Sequence, residues 1–239
     1  MQPSPSFRNV GIIGLGQMGR GIAVNLDKKE RLAAIWDVRP LGTDGFSDAV
    51  TFAQPKRMGE RCDVVIFVVP SSKEIEACLS GQQGLLSADR PGQVIIDLTT
   101  SHPSETQRLV AMAKERGRDY LDAGMSGGAT AADAGKLTLM FGGDPGTLDR
   151  CRPILDAIAT RVFHVGPNGA GHTMKLIHNM VCHANFFVLS EAGRLAERAG
   201  IDLKAAIEVI NAGNARSFIS ESRFPNHILS GKFDGRSRV

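Results

Sequence analysis

Lys175 stands between Met174 and Leu176 in a long apolar run, 168–199, that reads as helix. At helical steps of three and four it shares a stripe with Gly171, His178, Asn179 and Cys182. Met174, Ile177, Val181, Ala184 and Val188 fall on a second stripe that reads as packing. A lysine among hydrogen-bonding neighbours in a partly dry cleft is a candidate acid or base, because desolvation and nearby donors lower an ammonium's pKa towards neutral pH. A solvated lysine with its stem on apolar surface fits the same pattern. The choice rests on the rest of the chain.

Two glycine clusters carry further chemistry. Gly14-Leu15-Gly16-Gln17-Met18-Gly19 fits G-x-G-x-x-G between an apolar strand and a helix. In that context Gly14 permits the tight turn, Gly16 lets backbone approach a pyrophosphate, and Gly19 lets helix pack on strand. Asp37 follows Gly19 by 18 residues, at the end of the second strand. A carboxylate there accepts hydrogen bonds from ribose hydroxyls and repels a 2′-phosphate, which favours NAD over NADP; Arg39, two residues on, softens that preference. The second cluster is DAGMSGG, 122–128. Ser126, Gly127 and Gly128 offer a hydroxyl and backbone N–H groups to a carboxylate, although an ordinary strand-to-strand turn has the same composition.

The elements that position these residues alternate. Strands are expected at 9–16, 32–38, 63–69, 93–99, 119–122, 136–143 and 161–165, and helices at about 17–29, 71–79, 103–116 and 145–159. Residues 40–60 carry no clear helix. This order predicts a doubly wound, mostly parallel sheet of Rossmann type. After Gly166-Pro167-Asn168 the pattern turns all-helical, so residues 1–166 are expected to form a dinucleotide-binding domain and 167–239 a helical one.

Composition excludes several classes. With 42% hydrophobic and 22% charged residues, the 239-residue chain is globular in type. A net charge of +3 with no long basic run argues against nucleic acid or an anionic membrane as partner. No uninterrupted apolar stretch is long enough for a membrane span. MQPSPSFRNV has no hydrophobic signal core. Cys62, Cys78, Cys151 and Cys182 make no C-x-x-C pair and no metal-ligand spacing, so reduced thiols in a cytoplasmic protein are expected. His164, His172, His183 and His227 have no acid or nucleophile at a telling spacing and read as structural or exposed; His102 lies in a loop before a proline.

Four segments in order resemble the β-hydroxyacid dehydrogenase family, which includes 3-hydroxyisobutyrate and 6-phosphogluconate dehydrogenases. GLGQMGRGIAVNL (14–26) resembles its cofactor signature and DLTTSHP (97–103) its nicotinamide-side segment. DAGMSGG resembles its substrate loop, and GAGHTMKLIHN (169–179) its catalytic helix. The resemblance implies Lys175 as acid/base and Asn179 as its partner one turn on. It implies Ser126, Gly127 and Gly128 as the carboxylate loop, and Val69, Pro70 and Thr100 as cofactor contacts. Gly124 departs from the family's proline. His178 resembles the phosphogluconate branch and is expected either to touch a more hydroxylated substrate or to line the cleft.

The resemblance implies NAD-dependent oxidation of a small 3-hydroxy acid. The alternatives are NADPH-dependent reduction of a short aldehyde acid, such as glyoxylate or succinic semialdehyde, and a cofactor-binding chain with little catalysis. It also implies helices beyond SGKFDGRSRV, so the chain reads as short of the family's C-terminal part. The helices after residue 180 are expected to support a homodimer.

Overall fold

The computed structural model of the chain describes residues 7–233; the Pro/Ser lead at residues 2–6 and the last residues of SGKFDGRSRV lie outside them. The chain divides into two compact units, Met1–Leu176 and Ile177–Val239. In the first, β1 (Val10–Ile13) leads through α1 (Gln17–Asp27) to β2 (Leu32–Trp36). β3 (Thr51–Phe52), α2 (Pro55–Arg61), β4 (Val64–Phe67), α3 (Ser72–Leu79) and β5 (Val94–Asp97) follow. α4 (Pro103–Glu115) then leads to β6 (Asp119–Ser126), α5 (Gly128–Asp133) to β7 (Leu137–Gly142), and α6 (Pro145–Leu155) to β8 (Ala159–Gly166).

The eight strands form one sheet in the order β3-β2-β1-β4-β5-β6-β7-β8. Every pair is parallel except β6 and β7. β1, β4 and β5 are buried on both faces, which is why they read as unbroken apolar runs. Alternate residues feed two cores. Ile12, Ile66 and Ile96 pack with Ile22, Leu26 and Leu148 on one face. Ile13, Val65, Phe67 and Ile95 pack with Met58, Ile75 and Leu109 on the other. Truncating one such residue, Ile66→Ala, is expected to cost about 2–5 kcal/mol.

The structure corrects the sequence reading in four places. Residues 40–60 hold β3 and α2. α2 starts on Pro55, whose missing N–H costs nothing in a first helical turn. It is short and contains Gly59, where an added Cβ would meet Leu85 O at 2.4 Å, so its signal is packing rather than propensity. The strand expected at 119–122 continues to Ser126, because the antiparallel ladder runs on from Asp122↔Gly142 to Ser126↔Thr138. DAGMSGG is therefore mostly strand, followed by the unforeseen α5. The helix expected to reach 159 ends at Leu155, where the chain turns into β8.

α7 (Ala170–Arg198) begins in the first unit. In the second unit it is followed by α8 (Leu203–Ala212) and a wide π-type helix, Ile219–Leu229. Leu189, Ile207, Ile219 and Phe224 form the core there, with Cys182 and Phe186 against it. This is the fourth correction. Ile177, Val181 and Val188, expected to pack, are exposed, and Cys182, Phe186 and Leu189 pack instead. α7 is apolar on several faces, so periodicity alone did not select the right one. The four cysteines are free. Burial pushes the Cys62 and Cys151 thiols up to about 12 and that of Cys78 to about 11. Among the described residues no helix is long and apolar enough to cross a membrane.

Candidate active site

The first glycine cluster forms the turn from β1 into α1. Gly14 sits at φ +96°, and a Cβ there would meet Val68 O at 2.3 Å. A Cβ on Gly19 would stand 1.9 Å from Gly14 O. These two positions accept only glycine, one for conformation and both for space. Gly16 differs: nothing lies within 4 Å of where its Cβ would be. Its backbone faces open space at the start of α1, where Gln17 is exposed, Met18 half-buried and Leu15 buried. An open, glycine-lined helix start fits a dinucleotide pyrophosphate.

Asp37 follows β2 and is buried. Its Oδ2 accepts from Leu15 N–H at 2.8 Å and from Arg39 Nη2 at 3.1 Å. Its Oδ1 accepts from Arg39 N–H at 3.0 Å and Arg39 Nε at 2.9 Å. The side-chain bonds from Arg39 hold the carboxyl down to about 2, against burial, which pushes it up. All four acceptor positions of the carboxylate are thus engaged from within the chain. The carboxylate ties Arg39 to the glycine turn through Leu15.

The loops after β4 and β5 lie side by side. Val69 N–H donates to Thr99 Oγ1 at 3.4 Å, and Thr99 N–H donates to Asp97 Oδ1 at 2.8 Å. Thr99 is buried, while Thr100 and Pro70 are exposed. His102, expected in a loop, is the N-cap of α4 and accepts from Ser104 N–H at 3.2 Å.

Lys175 is seated through backbone. The start of α7 lies on β6 and β7 so closely that glycines stand at Gly124, Gly142 and Gly171. A Cβ on Gly171 would meet Asp122 O at 2.4 Å and Met140 O at 2.6 Å. One on Gly142 would meet Pro167 O at 2.6 Å, and one on Gly124 would meet the Cβ of Lys175 at 2.5 Å. Asp122, wholly buried, accepts from Gly169 N–H at 2.7 Å and His172 N–H at 3.0 Å. It caps α7 from the neighbouring strand and satisfies two of the donors that a helix start leaves open. Lys175 is itself half-buried and hydrogen-bonded or otherwise engaged within the chain.

β6 carries this seat straight into the second glycine cluster. Ser126 ends the strand, Gly127 has φ +120° and Gly128 φ +66°. A Cβ on Gly127 would crowd Ala131, whereas Gly128 opens on free space. The structure thus puts Lys175 against Gly124, two residues before Ser126 on one strand. His178 and Asn179 follow along α7, in the second unit; Asn179 is one turn beyond Lys175.

Sequence reasoning missed two groups. Asp122 was read only as part of a motif, not as the cap of α7. His172, read as having no paired acid, is fully buried with Nε2 3.8 Å from Asp97 Oδ2. The pairing spans 75 residues (172 − 97) and has no local signature.

Two family profiles cover the chain: the NAD binding domain of 6-phosphogluconate dehydrogenase matches residues 9–166, and the NAD-binding segment of NADP-dependent 3-hydroxyisobutyrate dehydrogenase matches 169–239. The chain belongs to the β-hydroxyacid dehydrogenase family. An L-threonate dehydrogenase from Cupriavidus necator is 36% identical to this dehydrogenase, over 97% of this chain and 79% of its own length. A 2-hydroxy-3-oxopropionate reductase from Escherichia coli is 32% identical, over 89% of this chain and 73% of its own. The structure of 3-hydroxyisobutyrate dehydrogenase from Mycobacterium tuberculosis with L-serine superposes with a TM-score of 0.84 at 31% identity, covering 92% of this chain and 75% of that one. The chain is an NAD(P)-binding oxidoreductase acting on CH–OH groups, with a Rossmann-type sheet followed by a helical segment.

Proposed function

We propose that this dehydrogenase oxidises a small 3-hydroxy acid to the 3-oxo acid or semialdehyde with NAD, and that Lys175 is its general acid/base. The observation that carries the proposal is the seating of Lys175 on Gly124, with Ser126 ending the same strand and Gly127 and Gly128 leading from it into α5. That spacing suits a substrate whose carboxylate and hydroxyl are a few bonds apart. Ser126 Oγ and the backbone N–H groups of Gly127 and Gly128 hold the carboxylate. Lys175 Nζ takes the hydroxyl proton in oxidation and returns it in reduction. Asn179 hydrogen-bonds substrate and lysine, and His178 meets the more hydroxylated part of the substrate. Gly14, Leu15, Gly16, Gln17, Met18, Gly19, Val69, Pro70 and Thr100 hold the cofactor, and Asp37 does so by exchanging its Arg39 side-chain hydrogen bonds for the ribose hydroxyls. When bound, the nicotinamide supplies the redox chemistry by exchanging hydride with the carbinol carbon. Residues 1–166 serve as the dinucleotide domain and 167–239 as a helical substrate and dimerisation domain; exposed Met180, Phe187 and Val188 support self-association.

One observation favours the reductive alternative. Arg39 bridges both carboxylate oxygens of Asp37 through Nε and Nη2, which neutralises the carboxylate that would repel a 2′-phosphate and puts a guanidinium beside it. Trp36 adjoins Asp37, and its fluorescence reports on both cofactors. Saturable NADH binding with much weaker NADPH binding, and NAD-linked turnover of a 3-hydroxy acid, are expected. The reverse preference, with turnover of an aldehyde acid, would establish the reductase. Binding without turnover on either substrate class would overturn the catalytic reading. Arg39→Ala should weaken NADPH about tenfold and leave NADH within about threefold, the difference of one lost charge-assisted phosphate contact.

A further inference from the structure

Four buried polar side chains from four elements meet beneath the first turn of α7. Asp97 comes from the end of β5, Tyr120 from β6, Thr106 from α4 and His172 from α7. Tyr120 O–H donates to Asp97 Oδ2 at 2.9 Å, and Thr99 N–H donates to Oδ1 at 2.8 Å. His172 Nδ1 is 2.7 Å from Thr106 Oγ1. His172 Nε2 has no hydrogen-bond partner; what faces it is Asp97 Oδ2 at 3.8 Å. Burial raises the Asp97 carboxyl on balance, and the imidazole and the hydrogen bonds from Thr99 and Tyr120 oppose that only in part. Asp122, a second acid that acts on Tyr120, is engaged with the backbone of α7.

Proton bookkeeping fixes what Nε2 does. A bare nitrogen lone pair facing a buried carboxylate would leave two acceptors opposed in a dry interior, a costly arrangement. Nε2 therefore carries a proton directed at Asp97, and Nδ1 meets the Thr106 hydroxyl in whichever sense that hydroxyl allows. Asp97 then accepts two hydrogen bonds, from the Thr99 N–H of the loop after β5 and the Tyr120 hydroxyl of the sheet, and faces the His172 imidazole of the lysine helix at 3.8 Å, a charge–dipole contact rather than a hydrogen bond. His172 precedes Lys175 by three residues, in the same helical turn.

We propose that His172 is a positioning residue for Lys175: through Asp97 it locks the lysine's turn of α7 to the loop that borders the cofactor crevice. The proposal rests on Lys175 being the acid/base only for its effect on turnover; the lock itself is a property of the cofactor-free chain. Asp122 holds the helix start by its backbone, and His172 holds the same turn by its side chain. Between them they leave Lys175 little freedom to move relative to Thr99 and Thr100.

Two isosteres separate the halves of the imidazole. The amide nitrogen of His172→Gln reaches the place of Nε2 and keeps the donor to Asp97. That of His172→Asn reaches only the place of Nδ1 and leaves Asp97 without the N–H that faces it. In the cofactor-free protein, amide exchange over residues 170–176 should quicken about tenfold in His172→Asn and stay near the unsubstituted rate in His172→Gln, as expected for loss of one buried polar contact. In turnover, His172→Asn should lower kcat about 100-fold with NADH affinity within about threefold, because misplacing an acid/base harms the chemical step more than binding. Its kcat–pH profile should shift, and His172→Gln should restore both rate and profile. Equal exchange rates in the two variants, or slow exchange in His172→Leu, would overturn the lock. If turnover is absent in the unsubstituted chain while exchange behaves as stated, the functional reading fails and the lock stands. Should His172→Leu not fold, the Asn/Gln pair still decides.

Discussion

At Gly16 an added Cβ meets nothing within 4 Å, whereas at Gly124, Gly142 and Gly171 it runs into protein at 2.5–2.6 Å or closer. Both clusters are glycine-rich and both belong to the proposed site. In the first, the absent side chain leaves open space, which the proposed cofactor would fill. In the second, it leaves room for the chain's own helix α7, which is pressed onto the sheet until Lys175 touches β6. The same residue type therefore keeps space open in one place and seats a helix in the other, and the local geometry tells them apart. Gly14 and Gly19 belong with the second kind, since they close the turn on itself and leave only Gly16 facing outward.

This contrast can be broken by experiment. The largest effect should come from Lys175→Ala: turnover is expected to fall about a thousandfold or more, with NADH quenching of Trp36 nearly unchanged. Loss of NADH binding as well would mean that the two clusters are not separable. Gly124→Ala comes next. Its methyl must displace Lys175 or β6, so kcat should drop about 100-fold and urea unfolding should show about 1–3 kcal/mol less stability. A fully active Gly124→Ala enzyme would refute the seating. Gly16→Ala should do the opposite. Gly16 has φ −66°, which alanine adopts freely, so stability should hold within about 0.5 kcal/mol while NADH affinity falls about tenfold. The smallest effect concerns acid. The Asp37 carboxyl is held at about 2 when folded and titrates near 4 when unfolded. Its contribution is present above about pH 4 and is lost as pH falls towards 2. Asp37→Asn should therefore flatten acid unfolding in that window, and an unchanged acid profile would mean Arg39 adds nothing there.

The sheet, its direction and the glycine turn were legible because buried parallel strands and G-x-G-x-x-G are local patterns. α2 and α5 were not, because each is short and is held by contacts distant in sequence. Asn25 Nδ2, for example, bonds Ala132 O at 2.8 Å and Asp133 O at 3.0 Å, pinning α5 to α1. Lys175, Ser126 and Asp37 could be nominated from motifs. Their surroundings could not: the Asp122 cap and the His172–Asp97 pair form only when β5, β6 and α7 meet. The packing face of α7 misled for the opposite reason, since too many of its positions are apolar for periodicity to choose.

The strand order has a consequence for synthesis. From β5 onward, as from β1 to β3, each strand is laid down beside the one made just before it, and only the passage from β3 across to β4 leaves the growing edge. The glycine turn needs only β1, α1 and the Val68–Val69 backbone, all made before residue 70. The lysine helix needs β6 and β7 and arrives more than 100 residues later, since 175 − 69 = 106. Because chains fold from the N-terminus as they emerge from the ribosome, the nascent protein should gain its nucleotide cradle well before it gains the means to use it. A nucleotide present during translation would then meet a cradle that can hold it and serve as a template for the strands still to come.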